Sequence, residues 1–123
     1  MNKIAKFNFN LDNLPPSEIR EEICSLTITQ NVLQGRWKPL LIWYISLQPQ
    51  RFGELTRLLP GISKGILAKQ LKELEDDGLI QKEIFDELPF KVEYTLTALG
   101  EQILPVIAVM QDWGKKYIDS RQK

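Results

Sequence analysis

The fold follows most directly from residues 51–80, which read RFGELTRLLPGISKGILAKQLKELEDDGLI. Apolar residues recur at helical spacing in the first part and predict a short helix: Phe52, Leu55, Leu58 and Leu59. Pro60 and Gly61 end it. Ser63 is a good N-cap for a second helix, which Gly78 ends as a left-handed C-cap. The apolar residues of this second helix are Leu67, Leu71 and Leu74, with Ile66 beside them. Two short helices joined by a tight turn are typical of a helix-turn-helix.

Strand patterning follows directly after the second helix. Residues 79–85 and 91–96 alternate between apolar and polar side chains, and a turn-like stretch containing Pro89 separates them. This predicts a β-hairpin, the arrangement that forms a wing. Thr97 is placed to cap a last helix that runs to about Ile118 and is kinked at Pro105.

The residues before position 51 predict further helices. Residues 25–34 form one that Gly35 stops, and residues 37–47 form another that is apolar nearly all round and is expected to be buried at the centre. Residues 1–16 are expected to be an extended arm, followed by a short helix capped by Ser17. The aromatic residues lie at helix or strand spacing and are expected in the core: Trp37, Trp43, Tyr44, Phe52, Tyr94 and Trp113.

Composition excludes several classes of protein. The 123 residues fit one domain, and no apolar run reaches the ~18–20 residues of a membrane span. The N-terminus lacks the apolar stretch of a secretory signal, so a cytoplasmic protein is expected. The sequence has no histidine, and its one cysteine is Cys24. A single chain therefore cannot supply the cysteine and histidine ligands of a usual structural zinc site. Nucleotide-binding and acyl-transfer motifs are missing as well. We therefore expect no enzyme, no metal and no cofactor.

From Cys24 to Tyr117 the chain resembles the HxlR-type winged helix-turn-helix regulators of bacteria. The matching pieces occur in order along about three quarters of the sequence: Cys24, Gly35-Arg36-Trp37, Arg51-Phe52-Gly53-Glu54-Leu55, Pro60-Gly61-Ile62-Ser63, Leu67, Leu71, Leu74-Glu75, Asp77-Gly78-Leu79-Ile80, Val92-Glu93-Tyr94-Thr95-Leu96-Thr97-Ala98-Leu99-Gly100 and Trp113-Gly114. The chain departs from the family at Cys24-Ser25, where Cys-Pro is usual, and at Pro89-Phe90, where two prolines are frequent.

The resemblance implies that residues 63–77 are a recognition helix whose N-terminal half enters the major groove of double-stranded DNA. The residue chemistry agrees, because residues 61–72 carry three lysines and no acid, whereas residues 73–77 carry four acids. With Ile66 and the three leucines turned inward, the candidate DNA contacts are Ser63, Lys64, Gly65, Ala68, Lys69 and Lys72. An ordinary solvated helix face is the alternative. Gln70 fits either a base contact or the flank of the helix.

Candidate contacts outside this helix are Lys91 and Lys82 in the wing and Arg51 and Arg57 in the preceding helix. Each could equally be a plain surface charge. The formal net charge is zero, so only a modest dependence of DNA binding on salt is expected.

The last helix is more apolar than one core requires, which predicts a homodimer. The expected interface residues are Ile103, Val106, Ile107, Met110, Trp113 and Tyr117. The alternative is that all of these side chains pack into the core of a single chain. Cys24 is expected to precede a helix, where the dipole lowers the pKa of a thiol, so it is a candidate sensor of electrophiles or oxidants. A small buried residue without reactivity is the other interpretation.

The sequence thus predicts a mainly α, α+β winged helix-turn-helix, with a three-helix core, a hairpin wing and additional N- and C-terminal dimerisation helices. The expected division is an arm over residues 1–23, the domain over 24–119 and a tail over 120–123. The expected function is sequence-specific regulation of transcription by a homodimer on a pseudo-palindromic operator. The alternatives are a winged-helix protein-interaction module and a ligand-responsive regulator of the MarR kind, with an effector that the sequence does not identify.

Overall fold

The computed structural model of the chain describes residues 21–86 and 89–122. Within them, helices dominate and two strands form one antiparallel hairpin. The elements in chain order are α1 (Glu21–Val32), α2 (Lys38–Leu47), α3 (Phe52–Leu58), α4 (Lys64–Asp76), β1 (Ile80–Phe85), β2 (Lys91–Leu96), α5 (Ala98–Gln102) and α6 (Leu104–Arg121). The predicted mainly helical winged helix-turn-helix is confirmed.

One hydrophobic core lies between α2, α3, α4 and the start of β1. Its buried apolar side chains are Leu41, Ile42, Ile45, Leu55, Leu59, Leu67, Leu71, Leu74, Leu79, Ile80 and Ile107. Burying each aliphatic side chain of this size contributes about 1.5–3 kcal/mol relative to leaving it in water. The core therefore holds the helix-turn-helix unit together, and Ile107 attaches α6 to it.

The helix α2 is buried on one side only, which corrects the expectation of a helix surrounded by protein. Its residues Leu41, Ile42 and Ile45 face the core, whereas Trp43 and Leu47 are exposed. The reason is that the elements packed against α2, among them β2 and α6, cover only part of its surface. Trp113 on α6 is exposed too, so two of the six aromatic residues predicted in the core lie on the surface.

The turn between α3 and α4 has the chemistry that the sequence predicts. Gly61 adopts a φ of +95°, a left-handed conformation that favours glycine. The Ser63 hydroxyl then accepts a hydrogen bond from the Ile66 amide at 3.1 Å and caps α4. Gly78, with a φ of +81°, reverses the chain after α4. The predicted N-cap and left-handed glycine are both confirmed.

The wing is anchored to the helical core by a contact that the sequence did not indicate. The strands pair from Ile80 opposite Leu96 to Phe85 opposite Lys91. On the other side of β2, Gln50 exchanges two backbone hydrogen bonds with Tyr94, at 3.1 and 2.8 Å. The buried side-chain amide of Gln50 also donates to the carbonyl oxygen of Tyr44, at 2.9 Å. The segment between α2 and α3 therefore fixes the base of the wing.

The predicted last helix is two helices. Thr97 caps α5 as predicted, accepting a hydrogen bond from the Gly100 amide at 3.0 Å. The helix α5 ends at Gln102, and Ile103 separates it from α6. Pro105 lies in the first turn of α6, where a proline loses no helical hydrogen bond. The expected kink at Pro105 is therefore a helix break two residues earlier. The helix α6 also extends through two residues of the predicted tail, to Arg121.

At the N-terminal end, α1 runs without interruption over Glu21–Val32 and replaces the two helices predicted there. Cys24 lies within α1 and does not precede it, which corrects the predicted position of this residue in the chain. The rest of the predicted arm, residues 1–20, lies outside the described residues. Across the ranges that the structure describes, no helix combines the length and the apolar character of a membrane span.

Candidate DNA-binding surface

The outer face of α4 carries all six residues that the sequence predicted as contacts. Leu67, Leu71 and Leu74 are buried beneath it. The six predicted contacts are all exposed, four on the side away from the leucines and two at the N-terminal end of the helix: Gly65, Ala68, Lys69 and Lys72, with Ser63 and Lys64 at the end. Because neither Gly65 nor Ala68 has a long side chain, the backbone of α4 can approach another surface closely there. An added β-carbon at Gly65 would meet no atom within 4 Å.

Ile66 does not turn inward as predicted but is 42% exposed. The reason is its position, one residue before Leu67 and therefore about 100° around the helix from the buried stripe. Sequence reasoning placed it in the core because it is apolar and lies beside Leu67. Its spacing from the three leucines, which does not fit their i, i+4, i+7 pattern, could have indicated that it is exposed. Ile66 consequently joins Ser63 at the N-terminal end of the exposed surface.

The three lysines of α4 differ in their ion pairing. Within the described part of the chain, Lys64 and Lys69 make no salt bridge, so both ammonium groups face solvent. Lys72 lies 3.2 Å from the carboxylate of Asp76, one turn along the helix. The hydrogen bond to Asp76 and then the charges of Asp76 and Glu75 raise the pKa of Lys72. Positive charge is therefore most available in the N-terminal half of α4.

One flank of α4 is polar and contacts the chain between α1 and α2. The Nζ atom of Lys38, the first residue of α2, lies 2.9 Å from Oε1 of Glu73. Half-buried Gln70 places its amide nitrogen 3.2 Å from the position that a β-carbon on Gly35 would occupy. Gln70 thus lies on the flank of α4 and packs beside Gly35.

Arg51 and Lys91, predicted separately, meet at one polar groove. The groove has a volume of about 350 Å³ and lies between α3 and the wing, lined by Gln48, Pro49, Arg51, Glu54, Lys91 and Glu93. The Arg51 amide donates to Glu54 Oε1 at 2.7 Å, which ties the start of α3 in place. The Lys91 ammonium lies 3.6 Å from Glu93 and 4.6 Å from the centre of the Phe85 ring. Both cations therefore lie in a groove that also contains the acidic residues Glu54 and Glu93.

The remaining predicted cations stand apart from this groove. Lys82 is exposed on β1 and Arg57 is exposed in the last turn of α3. Near the tip of the wing, Ile84 and Phe90 are exposed apolar side chains, and Asp86 adds a negative charge. The described part of the wing is therefore less basic than the outer face of α4.

An exposed apolar stripe runs along α6. It consists of Val106, Val109, Met110, Trp113 and Tyr117, and the rings of the last two stack with centroids 5.4 Å apart. Val109 and Trp113 are 65% and 64% exposed. Ile107, in contrast, is buried in the core of its own protomer, and Ile103 is half-buried against it. Two of the six predicted interface residues thus pack mainly within one chain.

The described residues offer no group of three or more acidic, cysteine or histidine side chains that could hold a metal ion. Their surface chemistry consists instead of a cationic face on α4 and an apolar stripe on α6. The first suits a polyanion and the second suits another apolar surface.

The comparisons with known proteins agree with this geometry. The sequence profile of a family described as HxlR-like helix-turn-helix matches residues 32–122. YdeP of Bacillus subtilis strain 168, named as an uncharacterised HTH-type transcriptional regulator, is 41% identical over 83% of this chain and 80% of its own length.

Two solved structures of regulators are similar in fold as well as in sequence. The redox regulator HypR in its reduced form is 35% identical with a TM-score of 0.75, over 78% of this chain and 95% of HypR. The reduced form of the transcriptional regulator YodB from B. subtilis is 34% identical with a TM-score of 0.68, over 80% of this chain and 94% of YodB.

Proposed function

The chain belongs to the HxlR-like helix-turn-helix family of transcriptional regulators, and on this premise we propose that it binds double-stranded DNA as a homodimer and recognises a pseudo-palindromic operator. The observation that carries the proposal is the outer face of α4. This face is exposed, begins at a capped helix N-terminus and presents Lys64 and Lys69 without acidic partners in the described chain. An operator-binding regulator of this kind acts in the cytoplasm, beside the chromosome.

The chemistry of α4 favours entry into the major groove by its N-terminal half. Backbone amides at a helix N-terminus and the two free ammonium groups attract phosphates and base acceptors. Exposed Ile66 adds an apolar side chain that suits the methyl group of thymine. At the other end of α4, Asp76 is exposed and would repel a phosphate backbone. This polarity sets the direction in which the helix approaches DNA.

Contacts outside α4 would position the protein on the backbone. Arg51 and Lys91 face the same groove between α3 and the wing, and a phosphate could accept hydrogen bonds from both. Lys82 and Arg57 supply further exposed charge. Since Lys91 already lies near Glu93, we assign it a smaller share of the affinity than Lys69.

The homodimer would form through the apolar stripe of α6. Soluble monomers rarely expose contiguous apolar surface on this scale, and a second copy of α6 offers a matching stripe. Dimerisation would place two α4 helices about one turn of DNA, roughly 34 Å, apart. That spacing predicts an operator with two inverted half-sites.

Selection of bound duplexes from a random pool tests the proposal. A consensus with two inverted half-sites is the expected result, with weaker binding by the variant Lys69→Ala. A single asymmetric half-site would contradict the dimeric arrangement. Absence of binding to any duplex at low salt would contradict DNA recognition and favour a protein-interaction module.

We further propose that Cys24 makes operator binding responsive to electrophiles or oxidants. Support comes from similarity to HypR, which is described as a redox regulator. Cys24 is the only cysteine of the chain, so a disulfide would join two protomers. In that step diamide takes up the two hydrogens of the two thiols, and the sulfur atoms bond to each other.

The test compares the wild-type protein with Cys24→Ser on the selected duplex. Diamide should release the wild-type protein from DNA and leave the serine variant bound, and dithiothreitol should reverse the release. An equal response of the two proteins would refute a role for the thiol.

A further inference from the structure

A buried ion pair links the recognition helix to the start of α2. Lys38 is only 2% exposed, and its ammonium group lies 2.9 Å from a carboxylate oxygen of Glu73, whose side chain is 31% exposed. Lys38 does not face the proposed DNA surface and no sequence pattern indicated a role for it. Its side chain spans from α2 to Glu73 on the flank of α4.

The position of Lys38 is unfavourable for a positive charge. It is the first residue of α2, where the helix dipole presents its positive end, and the preceding Trp37 provides no side-chain cap. Burial removes most of the hydration of the ammonium group, and one carboxylate restores part of that loss. An apolar side chain of similar length would fill the same space without this cost. The pair is therefore better explained by the geometry that it enforces than by stability.

A second contact lies beside the first on the same flank. Gly35, with a φ of +94°, brings the chain so close to Gln70 that a β-carbon there would stand 3.2 Å from the amide nitrogen. Gln70 and Glu73 are three residues apart and so project from one side of α4. The segment from Gly35 to Lys38 thus touches α4 at two successive positions along its axis.

Two contacts on one flank resist rotation of a helix about its axis. The buried leucines of α4 hold it against the core, but apolar contacts have little directionality, whereas a charged hydrogen bond has a preferred geometry. The side chains of a helix end about 5–6 Å from its axis, so a rotation of about 20° moves their tips by roughly 2 Å. A displacement of that size is enough to break a hydrogen bond between a side chain and a base edge.

We propose that the Lys38–Glu73 ion pair is a positioning contact that fixes the rotation of the recognition helix and thereby contributes to discrimination between the operator and other DNA. The inference rests on the DNA binding proposed above. Lys38 touches no DNA in this scheme and acts only through Glu73 and α4.

The test uses the full-length double variant Lys38→Met/Glu73→Gln. It removes one charge of each sign, so the formal net charge stays at zero and the non-specific attraction to phosphate is not altered by net charge. Affinity is measured at one salt concentration for the selected duplex and for a duplex of the same composition with the consensus shuffled. We expect the ratio of the two affinities to fall by roughly tenfold, within the range of coupling between contacting residues. The melting temperature should stay near that of the wild-type protein.

A matched control separates positioning from general loss of stability. Ile45→Val shortens a buried side chain of α2 away from the ion pair and should lower the melting temperature without changing the affinity ratio. An unchanged ratio in the folded double variant would overturn the proposal, and so would failure of that variant to fold. An equal loss of discrimination in Ile45→Val would also overturn it. If the wild-type protein itself shows no preference for any duplex, the proposed function fails first.

Discussion

Gly100 packs so closely against Leu79 that a β-carbon on Gly100 would overlap the carbonyl oxygen of Leu79. The contact joins the start of α5 to the turn that follows α4. Thr97 strengthens the same joint, because its hydroxyl donates to the Gly78 carbonyl at 2.6 Å and its amide donates to the Leu79 carbonyl at 3.0 Å. The start of α5 is therefore tied directly to the C-terminal end of α4.

Replacing Gly100 with alanine should destabilise the fold because the added methyl group has no space beside Leu79. We expect a loss of about 1–3 kcal/mol in the free energy of unfolding, as for other overpacked sites. Urea unfolding followed by circular dichroism measures it. Gly65→Ala is the matched control, since nothing lies within 4 Å of its β-carbon position, and it should leave stability equal or raise it by up to about 1 kcal/mol. Coincident unfolding curves for wild-type and Gly100→Ala would contradict the tight contact.

The lysines of α4 should contribute unequally to operator binding. Lys69→Ala should weaken binding by about 1–3 kcal/mol, since its ammonium group is available for a base contact. Lys72→Ala should weaken DNA binding less, because the ammonium group of Lys72 already forms an ion pair with Asp76. Gel-shift titration on the selected duplex measures both. Lys115→Ala on α6 removes the same charge from an exposed site away from α4. If all three variants bind equally well, α4 does not read the operator.

A charge within the apolar stripe of α6 should separate the protomers. Val109→Asp places a carboxylate on a strongly exposed position, so it should leave the protomer folded while weakening dimerisation by about 2 kcal/mol or more. Ala108→Asp introduces the same charge one residue away, about 100° around the helix and outside the stripe. Sedimentation velocity distinguishes monomer from dimer. Dimers of equal strength in both variants would place the interface elsewhere.

The stability of the fold should decline at alkaline pH partly because of Tyr94. Burial, and then the charge of Glu75, raise the pKa of Tyr94 above its ordinary value of 10.0. As the pH rises past that value, the unfolded chain loses this proton before the folded chain does, so unfolding becomes more favourable. The free energy of unfolding should therefore fall less for Tyr94→Phe than for the wild type between about pH 9 and about pH 11. Parallel curves over that range would show that Tyr94 ionises alike in both states.

The helix-turn-helix was predictable because its determinants are local. Ser63 caps the helix that follows it within three residues, Gly78 supplies a left-handed turn, and both act through neighbouring backbone groups. The wing could be predicted equally well. Alternating apolar and polar residues and a turn that contains Pro89 specify two strands that are close together in the sequence. The long-range bridge between Gln50 and Tyr94 has no such signature, because the partners lie far apart in the sequence.

The burial of apolar residues is hardest to predict from the sequence where they lie on more than one side of a helix. Trp43 was expected in the core and is exposed, whereas Ile107 was expected at an interface and is buried. Hydrophobicity alone predicts that a side chain will leave water, but only the packing of the elements decides which surface will cover it.

The amino-acid sequence by itself determined the order of the elements from α2 to β2, the caps and turns that bound α4, the hairpin and the family resemblance, because these depend on residues close together in the chain. Tertiary structure alone decided that Lys38 is buried against Glu73, that Arg51 and Lys91 share one groove, and that Ile107 of α6 packs into the core instead of staying exposed. The physical reason is that burial and ion pairing depend on distances between distant segments, and those distances exist only after the helices have packed.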